Sequence, residues 1–239
     1  MNAQLQHMTY TCGGAQNSAE GLEQCLRLGP CDAAHRVLIL LPLFDEMNRT
    51  RRTILQTMRA LDGHGVATYM PDLPGCNESM SPLAEQDIAS WRSAAARAAD
   101  TFGATHILSL RGGCLLDDGP GLPVLRIAPV KGASLIKTLV RTQIASDKEA
   151  GITSSSDGLA QTALSGTVLL AGNIISGQLW ADMDSAVPAN QDNITELALP
   201  DIHGSALWLR AEPRYDARMA DALAHAVNAW CRQASGGLL

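Results

Sequence analysis

The sequence is poor in aromatic residues. It has no long apolar run, no cysteine pair at metal-binding spacing and no surplus of basic charge. Phe, Tyr and Trp make up 4% of the 239 residues. With so few aromatics and so much alanine, helices are expected to pack closely on a sheet. No apolar run reaches the ~18 residues needed to cross a bilayer as a helix. The start, MNAQLQHMTY, has no basic segment followed by an apolar core, so no signal peptide is expected. The net charge of −6 and pI of about 5.4 do not suit nucleic acids or anionic membranes, which call for basic patches. The six cysteines, at 12, 25, 31, 76, 114 and 231, form no C-x-x-C pair and no metal-ligand spacing with histidine. No metal or other cofactor is expected, and the thiols read as free in a reducing cytoplasm.

What is present is an alternation. The runs 37-VLILLP-42, 66-VATYM-70, 105-THILSL-110 and 124-VLRIAP-129 read as strands buried on both faces. Between them, Ile54, Leu55, Met58 and Leu61 mark one helix. Leu83, Ile88, Trp91, Ala95 and Phe102 mark a second, with Ser81-Pro82 as its expected start. This alternation predicts an α/β fold in one domain, a mostly parallel sheet with helices on both faces. Residues 130–200 change pattern and read as an insertion or cap over the active edge. It holds a helix at 134–146, a polar stretch at 147–165 that includes 153-TSSSDG-158, and short apolar elements in 166–180. The run 205-SALWLR-210 then reads as a last core element before a C-terminal helix. The first 30 residues are expected to supply an edge hairpin.

In such a sheet, ligands bind beyond the carboxyl ends of the strands. That places the site on 43-LFDEMN-48, 72-DLPGCNES-79, 111-RGGC-114 and 129-PVKGAS-134. The third of these has the form of a nucleophile elbow, G-x-S-x-G, in which a strained strand-to-helix turn exposes a serine. Here the central position is Arg111.

Together these residues resemble a known family. The stretches 45-DEMNRTRR-52, 71-PDLPGCNES-79, 108-LSLRGG-113 and 129-PVKGASLIKTLVRTQIAS-146 are similar, in order, to the blocks of the exosortase A system-associated hydrolases, type 2. Those blocks read E-E-M-N-K-S-R-R, D-L-x-G-C-G-D-S, G-L-R-x-G and P-V-x-G-x-x-x-L-x-x-x-L-R. The resemblance covers roughly residues 37 to 180. It implies an α/β-hydrolase fold and a bacterial setting of exopolysaccharide production and protein sorting. The word hydrolase in that name follows the fold and does not establish chemistry. The chain departs from the pattern at Asp45, where the family has glutamate, at Asn77-Glu78, which replace Gly-Asp, and at Ser109, which replaces the first elbow glycine.

Arginine cannot be the nucleophile, because it stays protonated and offers only donors. Arg111 either ends a strand and reaches solvent or a nearby carboxylate, or binds an anion or carboxylate in a functional role, or the elbow lies elsewhere in the chain. Glu46, on the loop after the first buried strand, is the expected partner. Phe44, Asn48, Cys76, Gly112 and Cys114 complete the expected substrate-binding rim. Cys114 and Cys76 are the candidate thiols, each set against a bystander reading. Ser109 reads as core. Arg51 and Arg52 open a helix against its macrodipole and call for a partner such as Asp45, Asp72 or an anion. No histidine stands out as a base: His203 falls before the expected last strand, and His225 on a helix flank. Two readings remain open. One is a hydrolase without a serine, using Glu46 as base and Arg111 to hold a substrate anion. The other is a catalytically silent relative that binds a small acidic ligand or a partner protein.

Overall fold

The computed structural model describes residues 6–12, 21–210, 212 and 215–236. An N-terminal hairpin, β1 (Gln6–Cys12) and β2 (Gly21–Leu28), forms one edge. Then come β3 (Arg36–Leu40), α1 (Asp45–Gly63), β4 (Ala67–Pro71), α2 (Ile88–Thr101), β5 (His106–Leu110) and β6 (Val124–Ile127). These strands and a later one, β9 (Ile194–Leu197), make a seven-stranded sheet in the order β1-β2-β4-β3-β5-β6-β9. The hairpin strands are antiparallel to each other, and β2 is antiparallel to β4. All other pairs are parallel.

The alternation of side chains explains the two-sided burial. In β3, Val37 and Ile39 face one core while Leu38 and Leu40 face the other. The first core holds Ile54, Met58 and Leu61 of α1 with Met219, Leu223 and Val227 of α6 (Ala217–Gly236). The second holds Trp91 and the alanines of α2 with Leu135, Ile136 and Leu139 of α3 (Gly132–Glu149). Small residues let α2 lie close to the sheet: Ala94, Ala95 and Ala98 are fully buried.

Between α3 and β9 the chain forms α4 (Ser156–Leu164), a separate hairpin of β7 (Thr167–Leu170) and β8 (Asn173–Ser176), and α5 (Gly177–Ser185). These pack on α3 and around the start of α2 rather than in the sheet. Gly132 permits the approach of α3 to α5, since a Cβ there would collide with the Met183 carbonyl.

Three local expectations differ from the structure. The helix expected to start at Ser81-Pro82 begins instead at Ile88. Asp87 accepts from the Ser90 amide at 2.6 Å and Ser90 Oγ accepts from the Asp87 amide, so a full capping box outcompetes the serine-proline start. The polar 147–165 stretch contains α4, started by the Ser155 side chain as cap. Most consequentially, 205-SALWLR-210 is not a strand. It is irregular chain with a 3-10 turn at Leu207–Leu209, and the last strand is β9, within the span that read as insertion. Its burial pattern is why it escaped notice: two of its four residues are exposed, so it lacks the continuous apolar run of the inner strands.

At the opposite, amino end of the sheet, His106 is buried against Trp230 of α6, with ring centroids 4.9 Å apart, and lies 5.6 Å from the His35 ring. Burial and the neighbouring His35 push its pKa down to about 4. The folded pKa lies below the unfolded value of about 6.5, so the unfolded chain takes up the proton first as pH falls. Stability is therefore predicted to fall between about pH 6.5 and 4, by roughly 3 kcal/mol, and to level off below that. Urea unfolding at several pH values should show this fall, and it should shrink in His106→Leu.

Candidate functional site

The carboxyl end of β5 turns sharply at Arg111, whose φ is +51°. An L-residue in that region is strained by about 1–2 kcal/mol. Gly112 and Gly113 make the turn possible. A Cβ on Gly113 would overlap the Leu40 and Leu41 carbonyls, and one on Gly112 would stand 2.8 Å from Leu43 and Leu135 atoms. A 3-10 turn (Arg111–Leu115) follows in place of a helix. Cys114 therefore gains no helix N-terminus. The turn has the backbone of a nucleophile elbow with an arginine at its tip.

That arginine meets Glu46. Arg111 Nε donates to Glu46 Oε2 at 3.0 Å and Nη2 to Oε1 at 2.9 Å, the two-pronged geometry that matches guanidinium to carboxylate. Nη1 donates to the Ala128 carbonyl at 3.4 Å. The guanidinium also lies over the Trp208 ring, 4.6 Å from its centroid. Glu46 is placed in the first turn of α1, where the helix dipole favours a carboxylate. The turn into α1 is itself strained, with Phe44 at φ +56°. The Trp208 carbonyl accepts from Arg49 Nη1 at 2.8 Å, which ties the covering segment to α1. The side chains of Arg111 and Glu46 are 16% and 10% exposed, so the pair is mostly shielded from water.

Beneath the elbow lies a second ion pair. Arg126 of β6 donates to Asp117 through Nε at 2.8 Å and Nη2 at 2.5 Å, and through Nη1 to the Ala189 carbonyl at 2.6 Å. Ser109, fully buried, donates its hydroxyl to Asp117 at 2.6 Å. Its role is thus structural, filling the place of the elbow's usual first glycine and satisfying a buried carboxylate. Neither this pair nor the Trp208 cover was found in the sequence. Arg126 carried the signal, because a charge inside the strand VLRI requires a buried counter-ion. Trp208 was concealed by reading its segment as a strand.

The remaining rim residues divide. Phe44 lines two cavities beside the elbow, of about 20 and 30 Å³. The first also touches Met47, Cys76 and Asn77, and the second touches Glu46 and Arg49. Each has room for a water or two. Asn48 is exposed on α1 and makes no side-chain hydrogen bond among the described residues, so the structure does not bring it to the elbow. Burial pushes the Cys114 thiol up to about 12, although the Ser109 oxygen lies 3.4 Å from its sulfur. Cys76 is likewise pushed up to about 12 by burial and by the charges of Asp72 and Glu23. Both shifts disfavour the thiolate that nucleophilic attack needs near neutral pH. Arg51 lies 3.8 Å from Asp72, which also accepts from Asn77 at 2.6 Å. Arg52 stacks over Tyr215. Both arginines are accounted for within the chain.

His203 follows the last strand instead of preceding it, after a 3-10 turn at Leu199–Ile202. That is the end of the sheet where a hydrolase base belongs, yet His203 is exposed and makes no side-chain hydrogen bond. His225 lies edge-on to His64 on the α6–α1 side, with ring centroids 5.0 Å apart. Among the described residues no histidine hydrogen-bonds to Glu46, Arg111, Cys76 or Cys114.

No protein-family model matches the chain, and no curated protein matches its sequence. Solved structures do match over nearly the whole length. A putative aryl esterase from Burkholderia cenocepacia is similar at 13% identity and TM-score 0.58, with 96% of this chain and 100% of that one covered. Est1E from Butyrivibrio proteoclasticus, solved with ferulic acid, is similar at 12% identity and TM-score 0.56, with coverage of 97% and 96%. A putative hydrolase from Agrobacterium vitis S4 is similar at 16% identity and TM-score 0.52, with coverage of 95% and 98%. At these identities the likeness defines the fold alone: this is an α/β-hydrolase fold. Among the described residues no helix is long and apolar enough to cross a membrane.

Glu46→Gln is predicted to destabilise the chain by about 3 kcal/mol, the low end for stranding one partner of a buried pair, because Arg111 keeps some solvent. The double variant Glu46→Leu/Arg111→Leu should lose less than Glu46→Gln does alone. A double-mutant cycle by urea unfolding measures this. In alkylation with iodoacetamide at mildly alkaline pH, exposed Cys31 should react well before Cys76 and Cys114, as peptide mass spectrometry would show.

Proposed function

We propose that this chain is a catalytically silent relative of the α/β hydrolases, one that binds rather than turns over its ligand. The observation that carries this reading is Arg111 at the tip of the elbow, with two of its nitrogens on Glu46. A serine mechanism fails at its first step, since the position that aims the nucleophile carries a permanent cation. Glu46 is poorly placed as a base, because both of its oxygens already accept from the guanidinium. The esterases that share the fold lend it no chemistry, because ester hydrolysis depends on the residue at this tip.

The resemblance to the exosortase A system-associated hydrolases, type 2, supports the same reading. Their elbow pattern, G-L-R-x-G, also places arginine at the tip. On this reading the chain works in exopolysaccharide production or protein sorting, and it binds a partner protein or a small acidic ligand at its rim. A ligand anion at Arg111 would use the N–H groups left on Nη1 and Nη2, since Nε and one Nη2 hydrogen belong to Glu46. The cavities beside the elbow are far below the ~300 Å³ of ordinary small-molecule sites, which favours recognition on the outer rim.

Purified protein assayed against short-chain p-nitrophenyl esters and acyl thioesters should give no turnover above the buffer rate. Arg111→Ser should not gain any, since no base stands ready. Turnover by the natural chain that disappears in Glu46→Gln would overturn the silent reading and favour the hydrolase without a serine.

A further inference from the structure

Beside the elbow, the face of β6 and β9 forms one wall of an open groove of about 550 Å³, and the segment before β9 forms the other. Its size is that of a small-molecule site. Arg126, Lys131, Asn190, Gln191, Ile194 and Glu196 line it, together with prolines. Arg126 and Glu196 are register partners on neighbouring strands, so both side chains stand on the same face of the sheet.

The charges in this groove are not equivalent. Arg126 is 2% exposed and committed to Asp117 by two bonds and to the Ala189 carbonyl by a third. Asp117 is 1% exposed and further satisfied by Ser109. This pair is internally neutral and fixes the floor of the groove. Its bond to Ala189 also holds the segment that forms the far wall. Lys131 and Glu196 are different. Both are exposed, and neither has an ion pair or side-chain hydrogen bond among the described residues. Glu196 also faces the Arg126 charge from its register position, but that cation is already matched by Asp117, so the groove presents one cation and one anion without an ion-pair partner. Two side-chain amides and an apolar surface from Ile194 and the prolines share the groove with them.

We propose that this groove is a binding site for a small zwitterion of amino-acid to dipeptide size. Its carboxylate meets Lys131 and its ammonium meets Glu196. A ligand carrying only an anion gains Lys131 but faces Glu196, and one carrying only a cation meets the reverse, so a molecule with both charges is selected. Asn190 and Gln191 supply donors and acceptors for a peptide group between the two ends. Ile194 and the prolines accept an apolar side chain. The groove is lined by neither Glu46 nor Arg111, so the proposal does not depend on whether the elbow is silent.

The test is isothermal titration calorimetry on the full chain with alanylalanine, leucylglycine and free leucine. Each is compared with its N-acetylated form, which lacks the ammonium, and its carboxamide, which lacks the carboxylate. Binding of at least one unblocked compound at millimolar concentration is expected, weakened at least about tenfold by either block. Lys131→Gln and Glu196→Gln should each weaken it by a similar factor with unfolding midpoints unchanged, as both side chains are exposed. Glu46→Gln should leave it intact. Absence of binding by every unblocked compound overturns the proposal. So does equal binding of the blocked forms, or binding that survives both groove substitutions.

Discussion

The carboxyl edge of this sheet is organised around one ion pair, Glu46 with Arg111. The elbow holds its tip residue at φ +51°, and in an enzyme that strain would present a nucleophile. Here it presents a guanidinium that would be stranded without a carboxylate. The carboxylate comes from the first turn of α1, the Ala128 carbonyl takes a third bond, and Trp208 covers the ring face. The pair thus joins the end of β5 to the start of α1, and Trp208 brings in the segment after β9. Removing the pair would unfasten three segments that meet at one point.

Below it, the Asp117–Arg126 pair repeats this arrangement in a fully buried setting. Two ion pairs at one end of a sheet are costly in desolvation, and each is tolerable because nearly every donor and acceptor is spent. Ser109 is the hinge between the two layers. It departs from the glycine that the elbow pattern carries, and the hydroxyl it brings serves Asp117. The same network explains the quiet thiols. Cys114 is buried beside Ser109, Asp117 and Arg126, and burial raises its thiol pKa.

Much of the fold was legible because β3, β4, β5 and β6 are buried on both faces and read as unbroken apolar runs. The helices α1 and α2 follow from their stripes. What was not legible was the far edge. β9 is half exposed and carries Thr195 and Glu196, whereas 205-SALWLR-210 is apolar because it covers a site. Burial alone does not distinguish those two causes in a short run. The exchange moved His203 from before the last strand to after it, without bringing it to the elbow. At the site, the sequence led to Glu46 and Arg111 through the geometry of the elbow and the need of a shielded arginine for a partner. It did not lead to Trp208 or Asp117, whose roles depend on contacts across distant loops. Asn48 belonged to the right segment, but the helical turn after Glu46 carries it to the solvent face.

The central claim is that the elbow holds its arginine for structure and binding and contains no activated nucleophile. Incubation with a fluorophosphonate probe, followed by intact-protein and peptide mass spectrometry, tests it most directly. The account predicts no adduct on any rim serine or cysteine, in the natural chain or in Arg111→Ala. A stoichiometric adduct at Ser109, Cys114, Cys76 or Ser79 would contradict it, because only a group with a working base beside it reacts in that way.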